Sequence, residues 1–278
     1  MSAFFVILAA RYAIEPNKRF PTDCAIWLDV PIPTRRSKVL SSPVAKAYRK
    51  MKIIILPGLD GTDTLRRDFC DALAPQIDAK CLSYPVDVTT YADLLPMVQS
   101  QLSKVEGNYI LVAESFSGPL ALQITASKPA NLKAVIFIVS FPSSPRTLPS
   151  ILGKITAWMP PTFWGIRHII DWFGFGKWGS PDLSQSLLQV LKAVPPTVLA
   201  QRLEQVLQCN EVARLQNSSI PMFSIEASHD RLVSGRACNE FPNAGVETCH
   251  VEGPHFLLQA RPNNVARQVL LFCSRLGL

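Results

Sequence analysis

The sequence lacks the simple patterns that mark metal-binding, repetitive or membrane-spanning proteins. Its seven cysteines are dispersed at positions 24, 70, 81, 209, 238, 249 and 273, so there is no CxxC pair and a zinc knuckle is not expected. An odd, scattered set of this kind is typical of buried thiols in a reducing compartment. No apolar run reaches the roughly 18–20 residues that cross a bilayer. The sequence also contains no internal repeat and no low-complexity tract.

Excess basic charge is nearly absent beyond residue 50. The whole chain of 278 residues carries a net charge of +7, which alone would suggest a nucleic-acid partner. Residues 1–50 account for +6 of that charge, and the rest of the chain is almost neutral. Because binding to a phosphate backbone depends on clustered positive charge, we do not expect the body to bind nucleic acid.

The first 50 residues contain several prolines and show no sustained hydrophobic periodicity, so we expect a loosely ordered leader. Residues 3–10 are apolar, but no basic residue precedes them, which makes a weak secretory signal. The Arg-rich continuation is weakly similar to an organelle transit peptide. Met51 and Lys52 stand directly before an apolar run and resemble a natural chain start. The expected location is the cytoplasm, with organelle targeting or secretion as the alternative.

Apolar runs alternate with amphipathic segments through the body. The pattern predicts strands at residues 52–56, 79–84, 109–113, 132–139, 220–225 and 245–251, and helices at 64–74, 91–104, 118–127 and 263–276. The strands are apolar on both faces, which predicts an α/β fold with a mostly parallel central sheet and helices on both faces. Residues 144–217 are helix-like and rich in tryptophan. We therefore predict a core of residues 51–143 and 218–278, interrupted by a helical insert at 144–217.

A serine stands on the turn between a predicted strand and a predicted helix, in the segment YILVAESFSG that contains Ser115. Such a turn lifts a hydroxyl above the carboxyl edge of the sheet, and the N-terminus of the next helix directs N–H groups at developing negative charge. Small residues are needed two positions to either side, and here they are Ala113 and Ser117. This is the nucleophile-elbow pattern with its usual glycines replaced.

An acid and a histidine follow two later strands. Asp230 comes after the strand at residues 220–225, and His255 follows the last strand. Asp230 would orient His255, which would take the proton of Ser115 and return it to the leaving group. The other three histidines are poorer candidates. We expect His168 at the surface, His229 turned away from Asp230, and His250 packed in the core.

The order Ser115, Asp230, His255, each beyond the end of a strand, resembles the catalytic triad of the α/β-hydrolase superfamily over residues 51–276. The resemblance implies a mostly parallel sheet of eight strands and a cap at the place of the helical insert. The departures are Ala113 and Ser117 in the elbow, and Leu56-Pro57-Gly58 where many members have His-Gly. They leave the subfamily open.

The first function that we consider is a serine hydrolase acting on carboxylic esters with short to medium apolar acyl groups. The backbone N–H groups of Leu59, in the glycine-containing loop after the first strand, and of Phe116 would hold the oxyanion. No metal or organic cofactor is implied. Thioesterase, lipase, acyltransferase, haloperoxidase and carbon–carbon hydrolase chemistry stay open, as does a non-catalytic binding protein. A membrane-associated lipid enzyme is a third alternative; oligomeric state is open.

The insert supplies candidate substrate-binding aromatics, and we single out Trp164, Trp172 and Phe173. Packing of the insert on the core accounts for most such residues, but one or two should face the cleft. Among other acids, Glu114 is expected to contact neighbouring backbone or solvent. Asp60 and Asp63 lie near the loop that would hold the oxyanion and could bind a polar group of the substrate, but stabilisation of turns is the favoured expectation for both.

Overall fold

A computed structural model describes residues 51–145, 170–233 and 235–277, apart from the side chains of Ile170 and Phe173. The predicted leader, Trp164 and His168 lie outside the described residues. The division into a core and an insert therefore stays a prediction.

Six strands form one sheet, with every neighbouring pair parallel and the order β2-β1-β3-β4-β5-β6. Their bounds are β1 Lys52–Leu56, β2 Asp78–Cys81, β3 Tyr109–Glu114, β4 Leu132–Ile138, β5 Met222–Ala227 and β6 Glu247–Val251. All six residues of β3, at the centre of the sheet, are buried. The continuous apolar runs arise because helices cover this sheet on both sides.

The α-helices connect the strands and flank the sheet. They are α1 Arg67–Leu73, α2 Tyr91–Leu102, α3 Ser117–Ala126, α4 Pro181–Ala193, α5 Pro196–Gln208, α6 Val212–Gln216, α7 Gly235–Asn243, α8 Leu257–Ala260 and α9 Pro262–Arg275. A 3-10 helix, Thr64–Arg66, precedes α1. A π-helical turn, Ile170–Phe175, and a 3-10 turn, Gly176–Trp178, precede α4. Thus α4, α5 and α6 lie between β4 and β5, in the region where the sequence predicts a helical insert.

The sheet separates two apolar clusters. Leu111 of β3 packs with Leu94 of α2 and Phe241 of α7 on one face. Ile110 of the same strand packs with Val269 of α9 on the other. A third cluster joins α4 and α5 to Phe175. The alternation of neighbouring β3 residues between clusters fixes the register, since a slip of one residue would exchange the two faces.

Three details differ from expectation. The second strand ends at Cys81 rather than at residue 84, because the chain turns there and Tyr84 N–H donates to Gly61 O at 2.8 Å. The helices α7 and α8 were not predicted; α7 buries only Ala237 and Phe241, too few apolar positions for a clear period. The resemblance implies eight strands, whereas the described residues form six.

Two further sequence features can be checked against the described part of the chain. It contains no helix that is long and apolar enough to cross a membrane. Of its six cysteines, Cys249 and Cys273 are buried and the other four are partly buried.

Candidate active site

Ser115 occupies a sharp turn between β3 and α3. Its φ of 46° lies in the left-handed region that residues with a side chain rarely adopt. The N–H of Ser115 donates to Ile138 O at 3.0 Å, and Ser140 Oγ donates to Ser115 O at 2.7 Å. Strain of this kind costs on the order of 1–3 kcal/mol and persists where the surroundings over-determine it. The two bonds to β4 and its following loop supply that constraint.

The residues that replace the usual elbow glycines have structural explanations. Ser117 Oγ donates to Pro57 O and accepts from Tyr84 Oη at 2.5 Å, so its hydroxyl connects the elbow to the loop after β1. The close approach of α3 to the loop after β4 falls instead at Gly118, where a Cβ would lie 1.9 Å from Ser140 Oγ. The hydroxyl of Ser117 therefore links the elbow to the loop after β1, and the missing side chain of Gly118 allows the close packing.

The side chains of Ser115, His255 and Asp230 are connected by hydrogen bonds. Ser115 Oγ lies 3.1 Å from His255 Nε2, and His255 Nδ1 lies 2.7 Å from Asp230 Oδ2. Because a carboxylate only accepts, Nδ1 carries the proton and Nε2 is free to accept from the serine. Asp230 Oδ1 accepts from the N–H groups of Leu232 and Val233 at 2.7 and 2.9 Å, which fixes the carboxylate.

The environment of His255 favours its protonated form. The imidazole is buried, and burial alone would lower its pKa. The charge and hydrogen bond of Asp230 outweigh burial, with a further contribution from Glu114, so the pKa of His255 is raised above its ordinary value of 6.5. This arrangement stabilises the imidazolium that forms when a histidine takes a proton from serine.

The loop after β1 lies beside the elbow. Leu59 and Phe116 both line the cavity above Ser115, and neither backbone N–H donates to another described residue. The loop closes with Gly61 N–H donating to Gly58 O at 3.0 Å, and Gly61 has a φ of +71°. Two such N–H groups could hold an oxyanion.

A buried arginine of α5 holds this loop from the other side. Arg202 donates to Leu59 O and Asp60 O, each at 3.1 Å, and to Pro85 O and Val88 O, each at 3.0 Å. Burial lowers the pKa of Arg202, while the charge of Asp60 acts in the opposite direction. The guanidinium therefore joins a helix of the β4–β5 region to two loops of the sheet's carboxyl edge.

Glu114 corrects one expectation: it contacts neither neighbouring backbone nor solvent but forms a buried ion pair. Its Oε2 accepts from Arg66 Nε at 2.5 Å, and its Oε1 accepts from Gln259 at 3.3 Å. Arg66 Nη1 donates to Asp60 Oδ2 at 2.7 Å. Asp60 also accepts from the N–H and hydroxyl of Thr62, so it stabilises its turn as expected. A carboxylate cannot remain charged inside an apolar strand end without such a partner.

A cavity of about 110 Å³ opens above Ser115. One side, which we call the polar floor, consists of Gly58, Asp60, Arg66, Glu114, Ser115 and His255. Another part of the lining, which we call the apolar wall, consists of residues on α4 and α5, namely Leu187, Leu191, Leu199, Leu203 and Val206. A single water molecule needs roughly 10–15 Å³ of such space, so the cavity is several waters in size. A small or medium apolar group would fit next to the serine.

The predicted aromatic pocket residues are not brought together here. Trp172 is 63% exposed and does not line the cavity, since its ring stacks with the guanidinium of Arg231 at 4.7 Å. The side chain of Phe173 and all of Trp164 lie outside the described residues. The aromatic residues that line the cavity are Phe116, Phe141 and Phe256, which the sequence did not single out for this role.

The remaining described histidines lie away from the cavity. His250 corrects a second expectation: its side chain is 37% exposed rather than in the core, and Nε2 lies 3.2 Å from Glu226. It points outward because β6 is an edge strand with one partly solvated face. The ring of His229 lies 4.8 Å from the ring of Trp178.

Sequence reasoning missed Arg66, Arg202 and Gln259, which organise the site. The sole local signal was the charge of Glu114 at the end of an apolar strand. Such a charge indicates that a cationic partner is present but not which residue supplies it. Metal chemistry has no evident ligand set in the part of the chain that the structure describes, where no three His, Cys, Asp or Glu side chains are grouped to bind an ion.

The parallel sheet, the elbow after β3 and the positions of Asp230 and His255 after β5 and β6 define the α/β-hydrolase fold. Comparison with solved structures shows this fold directly. A lipase-esterase related protein from Clostridium acetobutylicum is 16% identical, with a TM-score of 0.67 over 81% of this chain and 95% of its own. An enol-lactonase from Burkholderia xenovorans is 12% identical, with a TM-score of 0.71 over 81% and 92%. A bromoperoxidase from Bacillus anthracis is 15% identical, with a TM-score of 0.69 over 81% and 92%.

Sequence comparisons add nothing to this likeness. No family model matches the chain, and no curated protein matches it. At these identities the structures establish the fold, and the argument for an activity depends on the site itself.

Proposed function

We propose that this protein is a serine hydrolase that cleaves small carboxylic esters through an acyl-enzyme on Ser115. The observation that carries the proposal is the connected set of Ser115, His255 and Asp230 at the base of a cavity. Serine alone is a weak nucleophile, and a hydrogen-bonded base oriented by a third group is what activates it. A lipase-esterase related protein and an enol-lactonase are among the structural neighbours, which is in keeping with this chemistry.

In the first half-reaction, Ser115 Oγ attacks the ester carbonyl carbon while His255 Nε2 takes the hydroxyl proton. The carbonyl oxygen becomes an oxyanion, held by the N–H group of Leu59 in the loop after β1 and by that of Phe116 at the N-terminal end of α3. The bond from carbon to the alcohol oxygen then breaks. The alcohol leaves with the proton that His255 returns.

In the second half-reaction, water attacks the acyl-enzyme. His255 takes a proton from the water, the ester bond to Ser115 breaks, and the same proton restores the serine hydroxyl. The acid is released and the free enzyme is regenerated. The apolar wall supports an apolar acyl group, since its residues offer packing surface and no hydrogen bonds.

A fluorophosphonate probe and a panel of p-nitrophenyl esters of increasing chain length test the proposal. We expect the wild type to be labelled at Ser115 and to hydrolyse short to medium esters. Ser115→Ala should lose both labelling and turnover, and His255→Ala should slow both. Labelling that persists in Ser115→Ala would show that the nucleophile is another residue. A folded wild type that is neither labelled nor active would favour a non-catalytic binding protein.

A further inference from the structure

One corner of the polar floor has hydrogen-bonding capacity that the proposed reaction does not use. Arg66 is 2% exposed and lines the cavity together with Ser115 and His255. Its Nε and Nη1 donate to Glu114, Asp60 and Thr62 O, which locks the plane of the guanidinium. Burial alone would lower the pKa of Arg66, but the two carboxylates raise it, so the group stays charged.

The third guanidinium nitrogen of Arg66, Nη2, forms no comparable hydrogen bond with the described residues. Nη2 donates no hydrogen bond to another described residue, although the side chain around it is almost completely buried. It lies beside Gly58, where a Cβ would come within 2.7 Å of it. Gly58 also lines the cavity and directly precedes Leu59. A locked, charged donor therefore stands next to the loop that would hold the oxyanion.

The charges around Arg66 indicate which kind of ligand group would accept a hydrogen bond from Nη2. Asp60 and Glu114 both form ion pairs with Arg66, and the charge of Asp60 also acts on Arg202, so the positive charge of Arg66 is already balanced by two adjacent carboxylates. A ligand carboxylate at Nη2 would lie at short range from these two carboxylates in a largely buried site and would be repelled by them. A neutral oxygen, such as an ether, hydroxyl or carbonyl, accepts a hydrogen bond without this repulsion.

We propose that Arg66 Nη2 is a substrate-binding donor that selects esters carrying a second, uncharged oxygen close to the scissile carbonyl. The inference rests on the proposed ester hydrolysis and adds a substrate class to it. The second oxygen belongs to the acyl group or to the alcohol, and both sources share the same recognition chemistry. The donor acts by binding and takes no part in proton transfer.

Matched ester pairs test each source, with an oxygen in one member replaced by a methylene in the other. The acyl pair is p-nitrophenyl methoxyacetate and p-nitrophenyl butyrate. The alcohol pair is methoxyethyl butyrate and butyl butyrate. The ratio of kcat/KM within each pair is divided by the same ratio for hydroxide-catalysed hydrolysis, which removes the intrinsic reactivity of the ester.

Three variants separate the donor from the loop that it adjoins. Arg66→Lys keeps a positive charge between the carboxylates and removes Nη2. Gly58→Ala keeps the guanidinium and places a methyl group against Nη2. The matched control, Arg202→Lys, disturbs the same loop through bonds to Leu59 O and Asp60 O, but Arg202 does not line the cavity. Circular dichroism and thermal unfolding establish which variants fold.

We expect a corrected ratio of about tenfold or more for at least one pair in the wild type, the size of one hydrogen bond to a charged donor. The ratio should fall to about one in Arg66→Lys and Gly58→Ala and persist in Arg202→Lys, even where the absolute rates fall. If Arg66→Lys does not fold, Gly58→Ala decides.

Corrected ratios of about one for both wild-type pairs would overturn the subsite while leaving ester hydrolysis intact. So would a ratio that survives in Arg66→Lys. A preference for mono-p-nitrophenyl glutarate over p-nitrophenyl pentanoate would show that the subsite binds an anion and overturn the neutral class. The absence of hydrolysis of every ester, with Ser115 unlabelled, would overturn the proposed function and the subsite together.

Discussion

The residues of the polar floor and those of the apolar wall are held in place by different kinds of interaction. On the floor, Ser115, His255, Glu114 and Asp60 are each fixed by short, directional hydrogen bonds or ion pairs. On the wall, the leucines of α4 and α5 are held by packing alone. Directional bonds set geometry to a fraction of an ångström, whereas packing tolerates exchange of similar volumes. The difference suggests that the floor determines rate and the wall determines which acyl groups fit.

The largest effect is expected when the nucleophile is removed from the polar floor. Ser115→Ala should lower kcat for p-nitrophenyl butyrate by about 10⁴-fold or more, because no other group can form the acyl-enzyme. Steady-state kinetics measure the loss. Ser117→Gly is the matched control, since it alters the same turn and leaves the nucleophile in place; it should still be labelled by a fluorophosphonate. Equal losses in both variants would mean that the turn, not the hydroxyl, is what matters.

The next largest effect concerns the carboxylate that orients the base. The reaction needs neutral His255, whose pKa is raised, so wild-type kcat/KM should fall with decreasing pH with a midpoint above 6.5. Asp230→Asn should lower kcat by about 10³–10⁴-fold. It should also move the acidic limb to lower pH, because the charge that favours the imidazolium is gone. A limb unmoved by this substitution would assign the titration to another group.

Arg202 tests the connection between wall and floor. Arg202→Met keeps much of the side-chain volume but leaves four backbone carbonyls without their donor, so the free energy of unfolding should fall by about 3 kcal/mol. Urea denaturation provides the measurement. Arg275→Met is the control: its ion pair with Glu247 is about half exposed and should be worth under about 1 kcal/mol. Similar losses in the two variants would contradict a special role for the buried guanidinium.

The smallest effect is expected on the wall. Leu187→Phe should shorten the apolar space and lower the kcat/KM ratio of hexanoate to acetate esters by about tenfold, since a hydrophobic pocket discriminates by roughly this factor per small change in size. Leu188→Phe, one residue further along α4, is the matched control because Leu188 does not line the cavity. A chain-length profile that changes equally in both variants would place the acyl group elsewhere.

Strand ends explain how much of the floor could be predicted. In a parallel sheet every strand delivers its carboxyl end to one edge, so Ser115 after β3, Asp230 after β5 and His255 after β6 could be placed together from their order alone. The glycine-containing loop after β1 could be placed beside them for the same reason. The sheet itself was predictable because its strands are buried on both faces.

The rest depends on contacts between residues far apart in sequence. Arg66 is hydrogen-bonded to Glu114, 48 positions away in sequence, and Arg202 to Leu59, 143 positions away. No periodicity or motif in the sequence indicates either pair. Trp172 shows the opposite failure. A large aromatic residue in an apolar segment suggested a pocket, but its orientation was set by stacking on Arg231.

The anchoring of Arg202 has an evolutionary consequence. The arginine is carried by a helix between β4 and β5, yet its hydrogen bonds end on loops that follow β1 and β2. Exchange of that helical region for one from a relative would leave those loops unsupported unless the incoming segment brought its own cation to the same spot. Modular replacement of the region that shapes the pocket is therefore restricted, and new specificities are more accessible by stepwise substitution along α4.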